Sequence, residues 1–466
     1  MQWRGERMIE TLGPDFWDPV EPARFPQLRL RWRNDRAAAE IGLEGLGEEA
    51  WIAHMARFEP LPDTLRTPLA LRYHGHQFRV YNPDIGDGRG FTFAQGRDRL
   101  GVLRELGTKG SGRTPWSRFG DGRLTLKGAV RELLATEMLE ALGVDTSRTL
   151  SIVETGESLE RNDEPSPTRG AVLVRLSRGH VRIGSFQRQA ALGRSDNVAR
   201  LARYALEHLA GETPPEGEAA LALRLLDWVA GNSARLAAAY MAAGFVHGVL
   251  NSDNINVTGE SFDYGPWRWL PAWDPGFTAA YFDHSGLYAY GRQPEAIAWD
   301  LLQLAKCLLP LAPVEALNAV LSDWPARFET ARDRAFLARL GLAPLGPQAD
   351  RAAWEALVAA LATGVGFDRA LFDWRGGRPR RPGYQGAPWQ ALAAALAGHR
   401  PVPGALDHPY WDDADPQMML IDEVEALWAA IAERDDWGPL MAKVAAVRRM
   451  GEAMAAAAGA PSAPGG

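Results

Sequence analysis

The sequence of 466 residues contains a single cysteine, Cys307. One cysteine excludes an intramolecular disulfide and any metal site built from several thiolates. No apolar run approaches the roughly 20 residues that a membrane-spanning helix needs. The charged N-terminus has no apolar stretch behind it, which argues against a signal peptide. We therefore expect a soluble, cytoplasmic protein without a membrane partner.

An excess of positive charge is also missing, because the formal net charge is −7. Binding to a nucleic-acid backbone relies on such charge, so we expect no nucleic-acid partner. Lysine is scarce, and the basic residues are nearly all arginines. In such a chain, each lysine that is present is more apt to be needed as a compact ammonium group than as a guanidinium.

The most specific pattern is VHGVLNSDNINVTGESFDYG, residues 246–265, which contains Asp253 beside Asn254 and then Asp263. Carboxylate and amide oxygens bind Mg²⁺ or Mn²⁺, and a neighbouring carboxylate can accept a proton from an attacking hydroxyl. This order of groups is typical of the metal–nucleotide site of protein-kinase-like folds. An ordinary kinase has its catalytic base, an aspartate, near the place that Val249 occupies here, so an ordinary γ-phosphoryl transfer geometry is not predicted.

The apolar pattern predicts a β-rich part followed by a helical part. We predict a hairpin over residues 91–108, a helix over 124–142, strands over 148–154 and 171–176, and helices over 197–210, 219–243 and 294–309. This is an α+β, kinase-like bilobal fold. The predicted organisation is an N-terminal wrapping segment (1–70), a small lobe with nucleotide-binding loops (71–186), a helical lobe (187–455) that contains residues 246–265, and a disordered tail (456–466).

Two glycine-rich loops in the small lobe have the composition of phosphate-binding loops. The first contains Gly86, Gly88 and Arg89, and the second ends in Asp121 and Gly122. Glycine allows backbone N–H groups to approach phosphate oxygens, and arginine adds positive charge. Each loop is also compatible with a tight or solvated turn that binds no ligand.

Lys109, at the end of a predicted strand, precedes Glu132 on the predicted helix. Kinases use such a pair to hold nucleotide phosphates, and the glutamate orients the ammonium group through a charge-assisted hydrogen bond. A surface lysine with a solvated glutamate is the alternative, and Glu137 is a second acid on the same helix. Arg175 and Arg182 bracket a strand end and suit a polyphosphate, although each alone is compatible with a surface position.

Several long motifs occur in order over about residues 70–300: YHGHQFRVYNPDIGDGRG, TKGSGRTPWSRFGDGR, VRELLATEMLEALGV, HGVLNSDN and DYGP. Through them the chain resembles the selenoprotein O family, also called YdiU-like, of pseudokinase-fold protein adenylyltransferases. The resemblance implies a kinase-like fold with family-specific additions. It also implies that ATP binds in a reversed orientation and that AMP is transferred to hydroxyl side chains of proteins.

The resemblance further implies roles for individual residues. The implied nucleotide-binding residues are Gly86, Gly88, Arg89, Lys109, Asp121, Gly122, Arg175 and Arg182, with Glu132 orienting Lys109. Asp253 would be the general base, and Asn254 with Asp263 would hold Mg²⁺ or Mn²⁺. The chain departs from the family pattern at Ser252, where threonine is usual, at Gly90, where alanine is usual, and over residues 415–422. It also has no C-terminal cysteine, which excludes regulation by a C-terminal disulfide.

We therefore predict an ATP-dependent protein adenylyltransferase that acts on Ser, Thr or Tyr hydroxyls, with the chain itself among the acceptors to be tested. One alternative is a kinase-like phosphotransferase that uses the γ-phosphate. The other is a nucleotide-binding pseudokinase that serves as a scaffold. Incorporation of label from α-labelled or γ-labelled ATP separates the three.

Overall fold

The structure is a computed structural model that describes residues 2–162 and 164–456. Over these residues the strands are β1 (Gly5–Glu6), β2 (Trp17–Pro19), β3 (Arg29–Arg33), β4 (Leu69–Leu71), β5 (Gly75–Gln77), β6 (Val80–Asn82), β7 (Thr92–Arg97), β8 (Leu103–Lys109), β9 (Leu124–Thr125), β10 (Arg148–Leu159), β11 (Thr168–Ser177), β12 (Phe245–Val246) and β13 (Arg268–Trp269). The fold is mixed α+β, as predicted.

The α-helices of the described residues are α1 (Asp35–Glu40), α2 (Glu48–Met55), α3 (Leu126–Ala141), α4 (Ile183–Ala191), α5 (Ser195–Tyr204), α6 (Glu218–Ala243), α7 (Gln293–Cys307), α8 (Val314–Ser322), α9 (Trp324–Arg339), α10 (Pro347–Leu361), α11 (Phe367–Asp373), α12 (Ala387–Leu396), α13 (Ile421–Arg434) and α14 (Gly438–Ala456). None of these helices combines the length and apolar character needed to cross a membrane. Of the predicted disordered tail, Ala456 ends α14, and residues 457–466 lie outside the described residues.

The strands form one nine-stranded antiparallel sheet and two small two-stranded sheets. The order of the large sheet is β2-β4-β7-β8-β11-β10-β3, with β1 added beside β7 and β9 beside β11. The first seventy residues therefore supply strands at both edges of the sheet. The predicted hairpin over 91–108 is confirmed as β7 and β8, which pair antiparallel.

The centre of the sheet is buried on both faces. On β11, Leu173 packs in the cluster that contains residues of α3, whereas Val172 and Val174 pack in the cluster that contains Trp51 of α2. A strand covered on both faces is apolar along its whole length rather than alternating. Arg175 is the exception within this run, and it points to the same face as Leu173.

The predicted helices over 124–142, 219–243 and 294–309 are confirmed as α3, α6 and α7. Each predicted end differs from the observed one by at most two residues. The helix predicted over 197–210 is α5, which continues as a short π-helical segment over residues 205–209. Gly244 ends α6 in the left-handed conformation (φ +65°), which glycine adopts without steric cost. The chain then turns into β12 and the segment 246–265.

Helix α14 packs along α3 and anchors it from outside the sheet. Arg448 donates to both carboxylate oxygens of Glu137, at 2.6 and 2.7 Å. The Glu137 side chain is only 3% exposed. This bidentate pair shows why Glu137 is not available to Lys109.

We expect Arg448→Ala to lower the free energy of unfolding by about 3 kcal/mol, because it leaves the buried Glu137 carboxylate without its partner. Arg434→Ala is the matched control, since Arg434 pairs with Glu433 on the surface with both side chains more than half exposed. A surface pair of this kind contributes about 0–1 kcal/mol. Urea unfolding measures the free energy of unfolding of both variants. Equal losses of this free energy would show that the Arg448–Glu137 pair contributes no more than a surface pair.

Candidate functional site

A cleft of about 830 Å³ brings the two glycine-rich loops, the end of β8 and the segment 246–265 together. The predicted site residues that line it are Gly86, Gly88, Arg89, Lys109, Asp121, Gly122, Arg175, Asp253, Asn254 and Asp263. Glu132 and Arg182 do not line the cleft. Both are buried behind its wall, where they contact Lys109 and Asp263.

The two glycine-rich loops pack against each other through Trp116. A Cβ atom on Gly86 would lie 2.4 Å from the Trp116 ring, so any side chain at this position would displace the indole. Ser117 donates a hydrogen bond to the Gly88 carbonyl, and Thr114 donates to the Asp87 carbonyl at 2.5 Å. Gly86 is therefore required for close packing between the loops, and the backbone that faces the cleft is held in place.

Asp121 and Gly122 lie at the far end of the second loop. Arg161 donates to both Asp121 oxygens, at 2.8 and 3.2 Å. Gly122 has a φ of +71° and packs on the backbone of Gly112. The sequence predicted this loop as nucleotide-binding but gave no sign that Arg161 would neutralise its aspartate.

Lys109 and Glu132 form a buried ion pair in which Nζ lies 2.5 Å from Oε2. Strand β8 carries the lysine, and α3 carries the glutamate across the sheet face. Burial lowers the pKa of Lys109, and the carboxylates of Glu132 and Asp263 oppose this. Lys109 Nζ also lies 3.4 Å from Asp263 Oδ1. The alternative of a surface lysine with a solvated glutamate is wrong.

Asp263 is surrounded by cations. Arg175 Nη1 donates to its Oδ1 at 2.5 Å, and Arg182 Nη1 donates to its Oδ2 at 2.9 Å. Burial alone would raise the pKa of Asp263, but Arg175, Lys109 and Arg182 outweigh it and hold the pKa well below its usual range. The residue has a φ of +60°, which is uncommon for a residue other than glycine. An uncommon backbone conformation of this kind is kept where the surrounding contacts fix it, and such residues cluster at functional sites.

Arg182 is 1% exposed, and its guanidinium joins several parts of the site. It donates to the Asp253 carbonyl at 3.0 Å and lies 3.4 Å from Asp87 Oδ1. Its charged end lies over the Tyr73 ring at 4.1 Å. Direct phosphate contact by Arg182 stays a prediction, because in this structure its donors are directed to protein groups.

Asp253 lies on a short 3-10 helix, Ser252–Asn254, at the edge of the cleft. Burial raises its pKa to about 6, against the opposing effect of Arg182. Its buried Oδ1 has no hydrogen-bond partner. A carboxylate whose pKa lies near the operating pH is suited to accept a proton.

The residues present fit a divalent cation of the Mg²⁺ type. Asn254 donates from its amide nitrogen to the Val249 carbonyl at 3.0 Å, so its Oδ1 is the atom suited to a cation. Asp263 would share its carboxylate between the cation and the arginines. Mg²⁺ is usually held by one or two protein oxygens together with substrate phosphates and water. A cage made by the protein alone is not present, since residues 2–162 and 164–456 contain no group of three His, Cys, Asp or Glu that could hold a metal.

Glu105 and His180 are two further buried residues of the site that the sequence interpretation missed. His180 lines the cleft, and Glu105 contacts it from the protein interior. His180 Nδ1 lies 2.7 Å from Glu105 Oε2, and Arg175 Nε donates to His180 Nε2 at 3.0 Å. One signal was available, because Glu105 and Lys109 are four residues apart on a predicted strand and therefore share a face. The position of His180 between Glu105 and Arg175 had no comparable signal in the sequence.

The chain is similar to known proteins over most of its length. Residues 1–373 match a family described as "Protein adenylyltransferase SelO". A protein of Gloeobacter violaceus named protein nucleotidyltransferase YdiU is 44% identical over 478 residues, which cover 95% of each chain. The proteins of the same name from Synechococcus elongatus and Synechocystis are 48% and 45% identical, over 72% and 76% of this chain and 68% and 74% of their own.

Proposed function

This chain belongs to the SelO family of protein adenylyltransferases, and on that basis we propose that it transfers AMP from ATP to hydroxyl groups of Ser, Thr or Tyr residues in proteins. The observation that carries the proposal is the meeting of Lys109, Asp253 and Asp263 in one cleft. Lys109 supplies a positive charge that Glu132 orients. Asp253 supplies a base, and the cleft is large enough for a nucleotide.

In the proposed reaction, the acceptor hydroxyl oxygen attacks the α-phosphorus of ATP. Asp253 takes the hydroxyl proton, the new P–O bond forms, and the bond from the α-phosphorus to its bridging oxygen breaks. Pyrophosphate leaves with the electron pair of that bond. Lys109 and Arg175 stabilise the negative charge on the phosphates, and such preorganised charge is usually the largest single contribution to catalysis.

We propose that Asn254 and Asp263 hold Mg²⁺ or Mn²⁺. When bound, the cation would neutralise phosphate charge and help to orient the nucleotide. The family relationship and the oxygen-donor set of the cleft support this assignment. Asp263 is suited to the role because its pKa is held well below the usual range, so that it stays ionised at neutral pH.

We further propose a kinase-like bilobal arrangement with a small lobe over 71–186, a helical lobe over 187–455 and a wrapping segment over 1–70. The cleft is lined from both proposed lobes, which supports this division. We also propose that ATP binds in the reversed orientation. Support comes from Val249, an apolar residue of the cleft lining near the place where an ordinary kinase has its catalytic base, an aspartate.

The direct test incubates the purified chain and a protein acceptor with ATP labelled at either the α- or the γ-phosphate, in the presence of Mg²⁺ or Mn²⁺. We expect label from the α-phosphate alone to enter protein, and we expect a chelator to abolish the transfer. Label from the γ-phosphate alone would identify a kinase instead. Nucleotide binding without label transfer to any acceptor would favour a scaffold.

A further inference from the structure

A continuous set of buried polar contacts runs from the interior of the sheet to the cleft. Gln95 Nε2 donates to Glu105 Oε1 at 2.7 Å. The other carboxylate oxygen, Glu105 Oε2, contacts both the backbone nitrogen of His180 at 2.9 Å and its Nδ1 at 2.7 Å. His180 Nε2 accepts from Arg175 Nε, and Arg175 Nη1 donates to Asp263.

The partners decide which nitrogen of the His180 ring carries the proton. Arginine can only donate, so Nε2 must accept, and the proton must be on Nδ1. Nδ1–H then donates to Glu105 Oε2. Glu105 is completely buried and His180 is 2% exposed, so neither contact is weakened by water.

We propose that Glu105 and His180 are positioning residues that hold the Arg175 guanidinium in its orientation toward the nucleotide phosphates. This inference rests on the proposed function, in which Arg175 contacts phosphate. His180 fixes Nε and Asp263 fixes Nη1. Among the described residues, Nη2 of Arg175 has no hydrogen-bond partner, and Arg175 lines the cleft, so Nη2 is the nitrogen available to a phosphate oxygen.

The residues of β8, the strand that carries Glu105, leave room for the contact between His180 and Arg175. Glu105, Gly107 and Lys109 occupy one face of β8, because side chains alternate along a strand. A Cβ atom on Gly107 would lie 2.5 Å from His180 Nε2 and 3.4 Å from Arg175 Nε. The missing side chain leaves the space in which the histidine and the arginine meet. One strand thus supplies the acid, the gap and the lysine of the site.

Core packing alone does not require these residue types. A buried carboxylate and imidazole cost free energy unless they are fully hydrogen-bonded, and apolar residues of the same volume would fill the space without that cost. Hydrogen-bond donation here instead runs in one direction, from the Arg175 guanidinium to the His180 imidazole to the Glu105 side chain. Buried partners of this kind fix the orientation of a functional side chain, as second-layer partners do at metal sites.

The test compares dissociation constants for ATP and for adenosine, which carries no phosphate, in the wild type, His180→Phe and His180→Gln. Phenylalanine fills the space but accepts no hydrogen bond, whereas the glutamine side-chain oxygen can replace Nε2. For His180→Phe we expect the Kd for ATP to rise about tenfold, the effect of one lost charge-assisted contact, and the Kd for adenosine to change by less than about twofold. His180→Gln should recover most of the ATP affinity. His54→Phe, on α2, is the control and should match the wild type.

A double mutant tests the coupling. In an Arg175→Ala background, His180→Phe should cause no further loss of ATP affinity if the histidine acts through the arginine. If His180→Phe does not fold, Glu105→Gln, which removes the charge at constant volume, takes its place with the same expected direction. The inference is overturned if ATP and adenosine affinities fall equally, if ATP affinity is unchanged, or if the losses add in the double mutant.

These outcomes are separable from failure of the proposed function. Absence of AMP transfer by the wild type would refute the adenylyltransferase proposal, and the binding comparison could still be made. Normal transfer by the wild type together with unchanged ATP affinity in His180→Phe would refute the positioning role alone.

Discussion

Asp263→Ala is expected to lower kcat/KM for AMP transfer by about 10³-fold or more, because removal of one preorganised electrostatic group in a closed site typically costs 10²–10³-fold. The expected loss lies at the upper end, since the variant removes the proposed metal ligand and also leaves Arg175, Arg182 and Lys109 without their shared counter-ion. Incorporation of α-labelled phosphate into an acceptor protein measures the effect.

The control for this variant is Asp323→Ala, because Asp323 is a surface residue with a side chain 72% exposed. It should retain wild-type transfer. Thermal unfolding of both variants separates loss of activity from loss of fold. Transfer at a wild-type rate in folded Asp263→Ala would show that the metal assignment is wrong.

The second large effect is expected for Asp253→Asn. This substitution should lower the transfer rate by about 10²–10⁴-fold, the usual contribution of a general base. Asparagine keeps the shape of the side chain but cannot accept the proton. Asp253 is buried in the short 3-10 helix, and its pKa is raised to about 6. The substitution should leave the Kd for ATP within about threefold, since its effect is on the chemical step rather than on binding.

The pH profile gives an independent measurement on the same residue. Below a pH of about 6 the Asp253 carboxyl keeps its proton and cannot act as a base, so the wild-type rate should fall about tenfold per pH unit there and level off above it. Asp263 does not contribute to this fall in rate at acidic pH, because its pKa is held well below the usual range. The low residual rate of Asp253→Asn should not show this fall. A wild-type profile that is flat from pH 5 to pH 8 would rule out Asp253 as the base.

Much of the site was predictable because its residues follow local patterns. Lys109 ends a strand, and Glu132 lies on the next helix, so the alternation of the strand and the period of the helix place both toward one region. Asp253, Asn254 and Asp263 are close along the chain. Proximity in sequence restricts their positions strongly, and the structure has all three in the cleft lining.

The partners of these residues were not predictable in the same way. The helical pattern alone did not separate Glu132 from Glu137, and only the structure shows that Arg448 of α14, more than 300 residues later, binds Glu137. Arg182 is buried and hydrogen-bonded to Asp263, a contact that the sequence did not indicate, and its contact with phosphate stays a prediction. Both outcomes depend on contacts between segments that are distant along the chain, and a local pattern contains no information about such contacts.

The sequence by itself determined the α+β composition, the order of the elements and the residue types of the site, because propensity, periodicity and motif spacing are local properties. Only the tertiary structure decided which charges neutralise one another and that burial raises the pKa of Asp253 to about 6. It also decided that hydrogen bonds connect Glu105 and His180 to Arg175. Burial and ion pairing depend on what the rest of the chain places around a group. The free energy of a charge in a protein is therefore a property of the whole fold.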